Sequence, residues 1–182
     1  MKRIVLILFF IFISFGFLTT NFKEIPKGVM AKVEKATIAI YGSGKLNITP
    51  TEVPIEVRKE FDLDLSNDRL LMVKNEDSTL GHIYVGEASS MKNVFDYAIF
   101  FDANLTIKKS KVLIYRENYG RQIGSQRWLK QFIGKKIGDS IEYGQDIDAI
   151  VGATISASSM TRSTANVLKT MKLLRDKNLA NF

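Results

Sequence analysis

Between Leu70 and Arg116 the chain sets four strand-like runs in succession with only short polar turns between them, and nothing else in it restricts the fold so tightly. Leu70 to Val73 leads through Asn75-Glu76-Asp77-Ser78 into a run from Leu80 to Glu87. Val94 to Phe101 leads through Asp102-Ala103-Asn104 into a run from Leu105 to Arg116. Connections this short leave no room for a crossover, so neighbouring runs pair antiparallel, as two hairpins that join into a meander. The expected fold class is α+β: an antiparallel, curved sheet packed against helices, a single domain after an N-terminal signal or anchor segment. Ile107, Val112, Ile114 and Tyr115 supply β-branched and aromatic bulk, while Lys108, Lys109 and Lys111 mark a solvated bend or edge.

Helical patterns flank the strands. Lys27 to Tyr41 reads as an amphipathic helix stopped by Gly42-Ser43-Gly44. With Lys45 this invites a phosphate-loop reading, but Ala39 stands at the first motif glycine and Leu46 at the magnesium-binding hydroxyl, so it is a helix stop. Pro50 and Pro54 mark a connector, and Ile55 to Phe61 suits a short helix. Ser125 to Phe132 reads as another, with Trp128, Leu129 and Phe132 on its buried side.

Met1 to Phe22 has the pattern of a targeting segment. Lys2 and Arg3 precede an apolar run from Ile4 to Leu18, which at 1.5 Å per residue spans roughly 22 Å, short of a hydrocarbon core of about 30 Å. A cleaved signal peptide is the first expectation and a retained anchor the second; either exports the domain to the extracytoplasmic, periplasmic side. The expected division is 1–22 leader, 23–68 helical N-terminal region and connector, and 69–182 the functional domain. With 46% hydrophobic and 25% charged residues the chain has ordinary globular usage. It has no cysteine, which excludes disulfides, thiolate metal sites and an acylated cysteine. The net charge of +7 is scattered, so a solvated surface is expected and no nucleic-acid partner.

The chemistry is expected at Asp148-Ala149-Ile150-Val151-Gly152-Ala153-Thr154-Ile155-Ser156. Gly152, Ala153 and Thr154 leave the backbone open to close approach, and Thr154 adds a hydroxyl. From Ala157 the pattern is helical: Met160, Thr164, Val167, Leu168, Met171 and Leu174 share a face, with Ser156, Ser158 and Ser159 as cap candidates. A helix start with free N–H groups suits an anion, above all a phosphate.

The order Asp148, two residues, Val151, then Gly152-Ala153-Thr154 resembles the covalent flavinylation motif of FMN-binding domains. Such domains occur in the sodium-translocating NADH:quinone reductase and in the Rnf electron-transport complex. Val151 departs from that motif, which usually has Ser or Thr there. Glu117-Asn118-Tyr119-Gly120 and Gly124 are similar to a degenerate form of the family's Glu-Thr-Pro-Gly-Leu-Gly turn, without its Thr-Pro pair. The resemblance implies FMN held by a phosphoester to Thr154, with Gly152, Ala153, Asp148, Glu117 and Gly120 as further cofactor-binding residues. It implies a flavin transferase and a membrane-bound electron donor or acceptor as partners. The role is then that of a redox carrier or a component of an oxidoreductase complex, with no catalytic side chain and no metal. The alternative, from a different class, is an exported binding or scaffold module of a membrane assembly without flavin.

Other constellations carry less. Ser89-Ser90-Met91-Lys92 matches a Ser-x-x-Lys nucleophile motif, but no partner element of such hydrolases is present. His82, the only histidine, lies in a strand pattern and rules out a multi-histidine metal site. Glu87 with Asp96, and Asp146 with Asp148, are conceivable carboxylate pairs, although aspartates before a turn are ordinarily turn formers. Trp128, Tyr119 and Tyr143 could wall a flavin ring, and Arg116, Arg121 and Arg127 could contact its phosphate.

Overall fold

The computed structural model describes residues 25–51, 53 and 69–179. The leader from Met1 to Phe22 and the short helix expected over Ile55 to Phe61 lie outside the described residues. In chain order the elements are α1 (Lys27–Tyr41), β1 (Asn47–Pro50), β2 (Arg69–Lys74), β3 (Thr79–Ser89), β4 (Val94–Asp102), β5 (Ile107–Ile114), α2 (Gln126–Leu129) and α3 (Thr154–Asp176). Single 3₁₀ turns at Arg121–Gly124 and Lys130–Phe132 bracket α2.

The strands form one antiparallel sheet in the order β1-β2-β3-β4-β5, so sequence neighbours are spatial neighbours throughout. The four expected strands are present, and β3 and β4 pair in unbroken register from Gly81 with Asp102 to Ser89 with Val94. The fifth strand corrects the connector reading. Asn47–Pro50 pairs with Lys74 to Leu71, and its proline is tolerated because β1 lies on the edge of the sheet. The lysines of β5 lie on the opposite edge, where a solvated strand was expected.

Period-2 alternation divides the core between two faces. On one, Leu71, Val73, Ile83, Val85, Ala98, Phe100 and Leu113 pack with Val29, Val33 and Ala36 of α1. On the other, Tyr84, Phe95, Tyr97, Ile99, Phe101 and Ile107 pack with Trp128, Leu129 and Phe132 and with Ala157, Met160, Val167, Leu168, Met171 and Leu174 of α3. Helices cover both faces, which is why β4 is buried without a break from Phe95 to Phe101, Asp96 included. Among the described residues no helix is long and apolar enough to cross a membrane.

Candidate functional site

At one end of the sheet three segments surround a pocket of about 630 Å³. They are the β3–β4 turn with Met91, Lys92 and Asn93, the segment leaving β5 from Tyr115 to Tyr119, and the start of α3 from Gly152 to Ser156.

The last of these is built by a glycine turn. Trp128 Nε1–H donates to the Asp148 carbonyl at 2.7 Å, and the Asp148 N–H donates to Gln131 Oε1 at 2.9 Å, so the incoming chain is tied to α2 and the turn after it. Gly152 then takes φ +79°, the left-handed region that disfavours side chains, although a Cβ there would meet nothing within 4 Å. Its requirement is conformational, and crowding plays no part. Close approach instead belongs to Gly120, at φ +75°. A Cβ on Gly120 would lie 2.9 Å from Tyr115 Oη and 3.0 Å from the Gly152 carbonyl oxygen, so only glycine lets this loop press against the turn.

Helix α3 starts three residues earlier than the periodicity suggests, at Thr154, and the expected serine caps are absent. Ala153 is the N-cap and has no side chain to accept from the first turn. The first bond within the helix runs from Ala157 N–H to the Ala153 carbonyl, so the N–H groups of Thr154, Ile155 and Ser156 have no acceptor inside the helix. The serines are used elsewhere. Ser156 Oγ lies 3.0 Å from Tyr115 Oη, and Ser159 Oγ accepts the Ser89 N–H at 2.9 Å. Thr154 is exposed, and its hydroxyl makes one long contact, 3.5 Å, to the Ile150 carbonyl.

Glu117 is the most heavily bonded carboxylate of the site. Its Oε1 accepts from Ser90 Oγ at 2.7 Å, from the N–H groups of Lys92 and Asn93 at 2.8 and 3.0 Å, and from Asn93 Nδ2 at 3.4 Å. The Ser90 hydroxyl, then the Lys92 and Asn93 donors, hold its carboxyl below the usual carboxylate range. Ser90, which follows the serine of the Ser-x-x-Lys match, is thus engaged in closing the turn, its hydroxyl donating to the Glu117 carboxylate.

The remaining expectations separate cleanly. Thr154, Ala153, Gly152 and Glu117 line the pocket, whereas Asp148 and Gly120 stand behind it and shape its wall. Of the three aromatics expected there only Tyr119 lines it, 85% exposed; Trp128 and Tyr143 pack with the core. Arg116 lines the pocket but is already engaged, donating to buried Asp96 at 2.6 Å and to the Val94 carbonyl at 2.9 Å. Arg121 and Arg127 are exposed and do not line it. Glu87 and Asp96 face each other across β3 and β4, with Asp96 neutralised by Arg116. Missed from the sequence were Met91, Lys92, Asn93, Tyr115 and Ile155 as walls. Their signal was the small polar turn after β3, which does not reveal what it faces.

This site suits a phosphorylated, partly aromatic ligand: unsatisfied N–H donors at a long helix start, a bare hydroxyl beside them, and apolar walls from Met91, Tyr119 and Ile155. The volume lies within the range of small-molecule pockets. Residues 92–169 match the family model of the FMN-binding domain. Over that span the chain is similar to an FMN-binding domain. The matched span contains every pocket-lining residue except Met91. No curated protein matches the chain in a sequence comparison. Here the residues present fit FMN: the start of α3 offers donors for the phosphate, and the β3–β4 turn and Tyr119 offer apolar surface for the ring.

Proposed function

We propose that this protein is an extracytoplasmic electron carrier whose FMN is held by a phosphoester to Thr154. The observation that carries the reading is an exposed threonine hydroxyl on the first residue of an uncapped 23-residue helix that opens into the pocket. Ser156, the nearest competing hydroxyl, is buried and paired with Tyr115, which favours Thr154 as the acceptor. Forming the ester requires Thr154 Oγ1 to bond phosphorus, lose its proton and displace a leaving group from an activated flavin phosphoanhydride. Among the described residues no base bonds to the Thr154 hydroxyl to drive this, which is consistent with a separate flavin transferase performing it. Electrons would then pass to or from a membrane-bound partner. A covalent tether keeps the cofactor in a compartment where replacing it is difficult.

The test is the intact mass of the exported protein made together with a flavin transferase. The expected gain is one FMN less one water, mapped by peptide fragmentation to Thr154 and absent from Thr154→Ala. Ser156→Ala and Ser158→Ala should keep it. A flavin mapped to Ser156 or Ser158 would overturn the acceptor assignment, and an unmodified wild-type protein would overturn the flavin reading and favour a flavin-free binding module.

A further inference from the structure

Among the described residues two cations line the pocket, and they differ in what already opposes them. The Arg116 guanidinium is fixed by the Asp96 carboxylate, which is 3% exposed, and by the Val94 carbonyl, so its charge is balanced within the fold. Lys92 is exposed in the β3–β4 turn, and its ammonium forms no ion pair among the described residues. Nothing in a two-strand turn by itself holds a lysine towards a pocket, since the stem has four rotatable bonds and the backbone of a turn tip is mobile.

Here the backbone is restrained from outside the hairpin. Glu117, 24 to 27 residues away in sequence, brings one carboxylate oxygen to the Ser90 hydroxyl, both turn N–H groups and the Asn93 amide. All four donors belong to residues 90–93, the segment that carries Met91 and Lys92 into the pocket wall. Glu117 gives one oxygen, Oε1, to all four of these bonds and so ties the turn to the segment leaving β5.

We propose that Glu117 is a positioning residue that clasps the β3–β4 turn so that Lys92, the pocket-lining cation in no ion pair among the described residues, is held close to the bound flavin, raising its reduction potential. The inference rests on the flavin reading above. Uptake of two electrons and one proton, supplied by a strong reductant such as dithionite in a titration, leaves one net negative charge on the flavin. A fixed cation stabilises that product over the neutral oxidised ring, and the effect falls with distance and with solvent screening. The clasp therefore acts by holding the distance.

The experiment is a redox titration of the flavinylated protein, each variant checked first by intact mass. Lys92→Gln should keep the flavin and lower the midpoint potential by about 30 mV, a tenfold change in the equilibrium constant of a two-electron couple. Lys92→Arg should restore most of it. Deleting Glu117 also removes a negative charge, so its own shift is not diagnostic; the coupling is. In a Glu117→Ala background the Lys92→Gln shift should fall to less than a third, and in Glu117→Gln, which keeps one acceptor oxygen, to an intermediate size. An unchanged potential in Lys92→Gln overturns the role of Lys92. A full Lys92 effect in both Glu117 backgrounds overturns the clasp. A wild-type protein without flavin overturns the underlying reading, whereas the other two failures leave it standing.

Discussion

Helices α1 and α3 cover opposite faces of the same sheet and are tied to it at opposite ends. Helix α1 meets it through Val29, Val33 and Ala36, and is tied to the strands at its C-terminal end, where Tyr41 Oη donates to the Phe101 carbonyl at 2.5 Å, and on its second turn, where Lys32 Nζ donates to the Leu113 carbonyl at 2.8 Å. Helix α3 has an apolar stripe further along, but its first two turns bury Ser156 and Ser159, which reach out of the helix to Tyr115 and to the Ser89 N–H. Apolar contact is non-directional and holds a helix against a sheet without fixing its exact position along it. Hydrogen bonds to the end of β3 and to the residue after β5 fix where the helix begins. The pocket lies at the helix whose start is fixed in this way; the bonds of α1 fix its other end, and no α1 residue lines the pocket.

The strongest test of that contrast is on the α1 face. Phe100 is fully buried there, so Phe100→Ala should cost about 3–5 kcal/mol, read from the denaturant midpoint. Below its unfolding transition the variant should still be flavinylated to the wild-type extent. Loss of flavin from a variant that is still folded would mean that the two faces are not separable.

A somewhat smaller effect is expected from pH, on the α3 face. His82 is fully buried, and burial, with Lys74 adding, pushes its pKa from 6.5 down to about 4. Between those values the unfolded chain binds a proton that the folded one does not. Stability is therefore full above pH 6.5 and falls as the pH drops towards 4, by on the order of 3 kcal/mol. His82→Gln should flatten the stability profile across that window. A profile unchanged by the substitution would remove His82 from the account. Glu117, with its pKa depressed, contributes a loss of the same sign that begins as the pH falls through the ordinary value of 4.5 and is complete below its folded value.

Ser159→Ala probes the directional bonds. It leaves the Ser89 N–H without its acceptor and should cost about 1–2 kcal/mol, with slower flavinylation because the helix start is less well placed. Unaltered kinetics of flavin attachment would show that apolar packing alone positions the start. The smallest change in stability is expected at the residue with the largest functional effect. Thr154→Ala should shift stability by no more than about 0.5 kcal/mol, since its hydroxyl has one long contact, while removing the flavin entirely.

Much of this architecture was legible because it is local. Alternation over a few residues and turn formers between runs are enough to specify β2 to β5 and their antiparallel order, and the 3.6-residue pattern marks α1 and most of α3. The strand at Asn47–Pro50 was not legible, because four residues that include a proline become a strand only when β2 offers an edge. The helix start was misplaced for a related reason. Ser156 and Ser159 have the composition of caps, but stronger partners from other segments claim them.

Patterns within a few turns of chain were enough for four of the five strands, for α1 and most of α3, for the glycine turn before Thr154 and for the resemblance that points to FMN. Which residues face one another at the site depends on contacts between segments far apart in the chain. Glu117 gathers a turn 24 to 27 residues away, Tyr115 meets Ser156 across 41 residues, and Asp96 neutralises an arginine 20 residues on that could otherwise have served a phosphate. Those pairings follow from the end of the sheet to which each segment returns. No local periodicity encodes that, because it depends on packing both faces of the sheet at once.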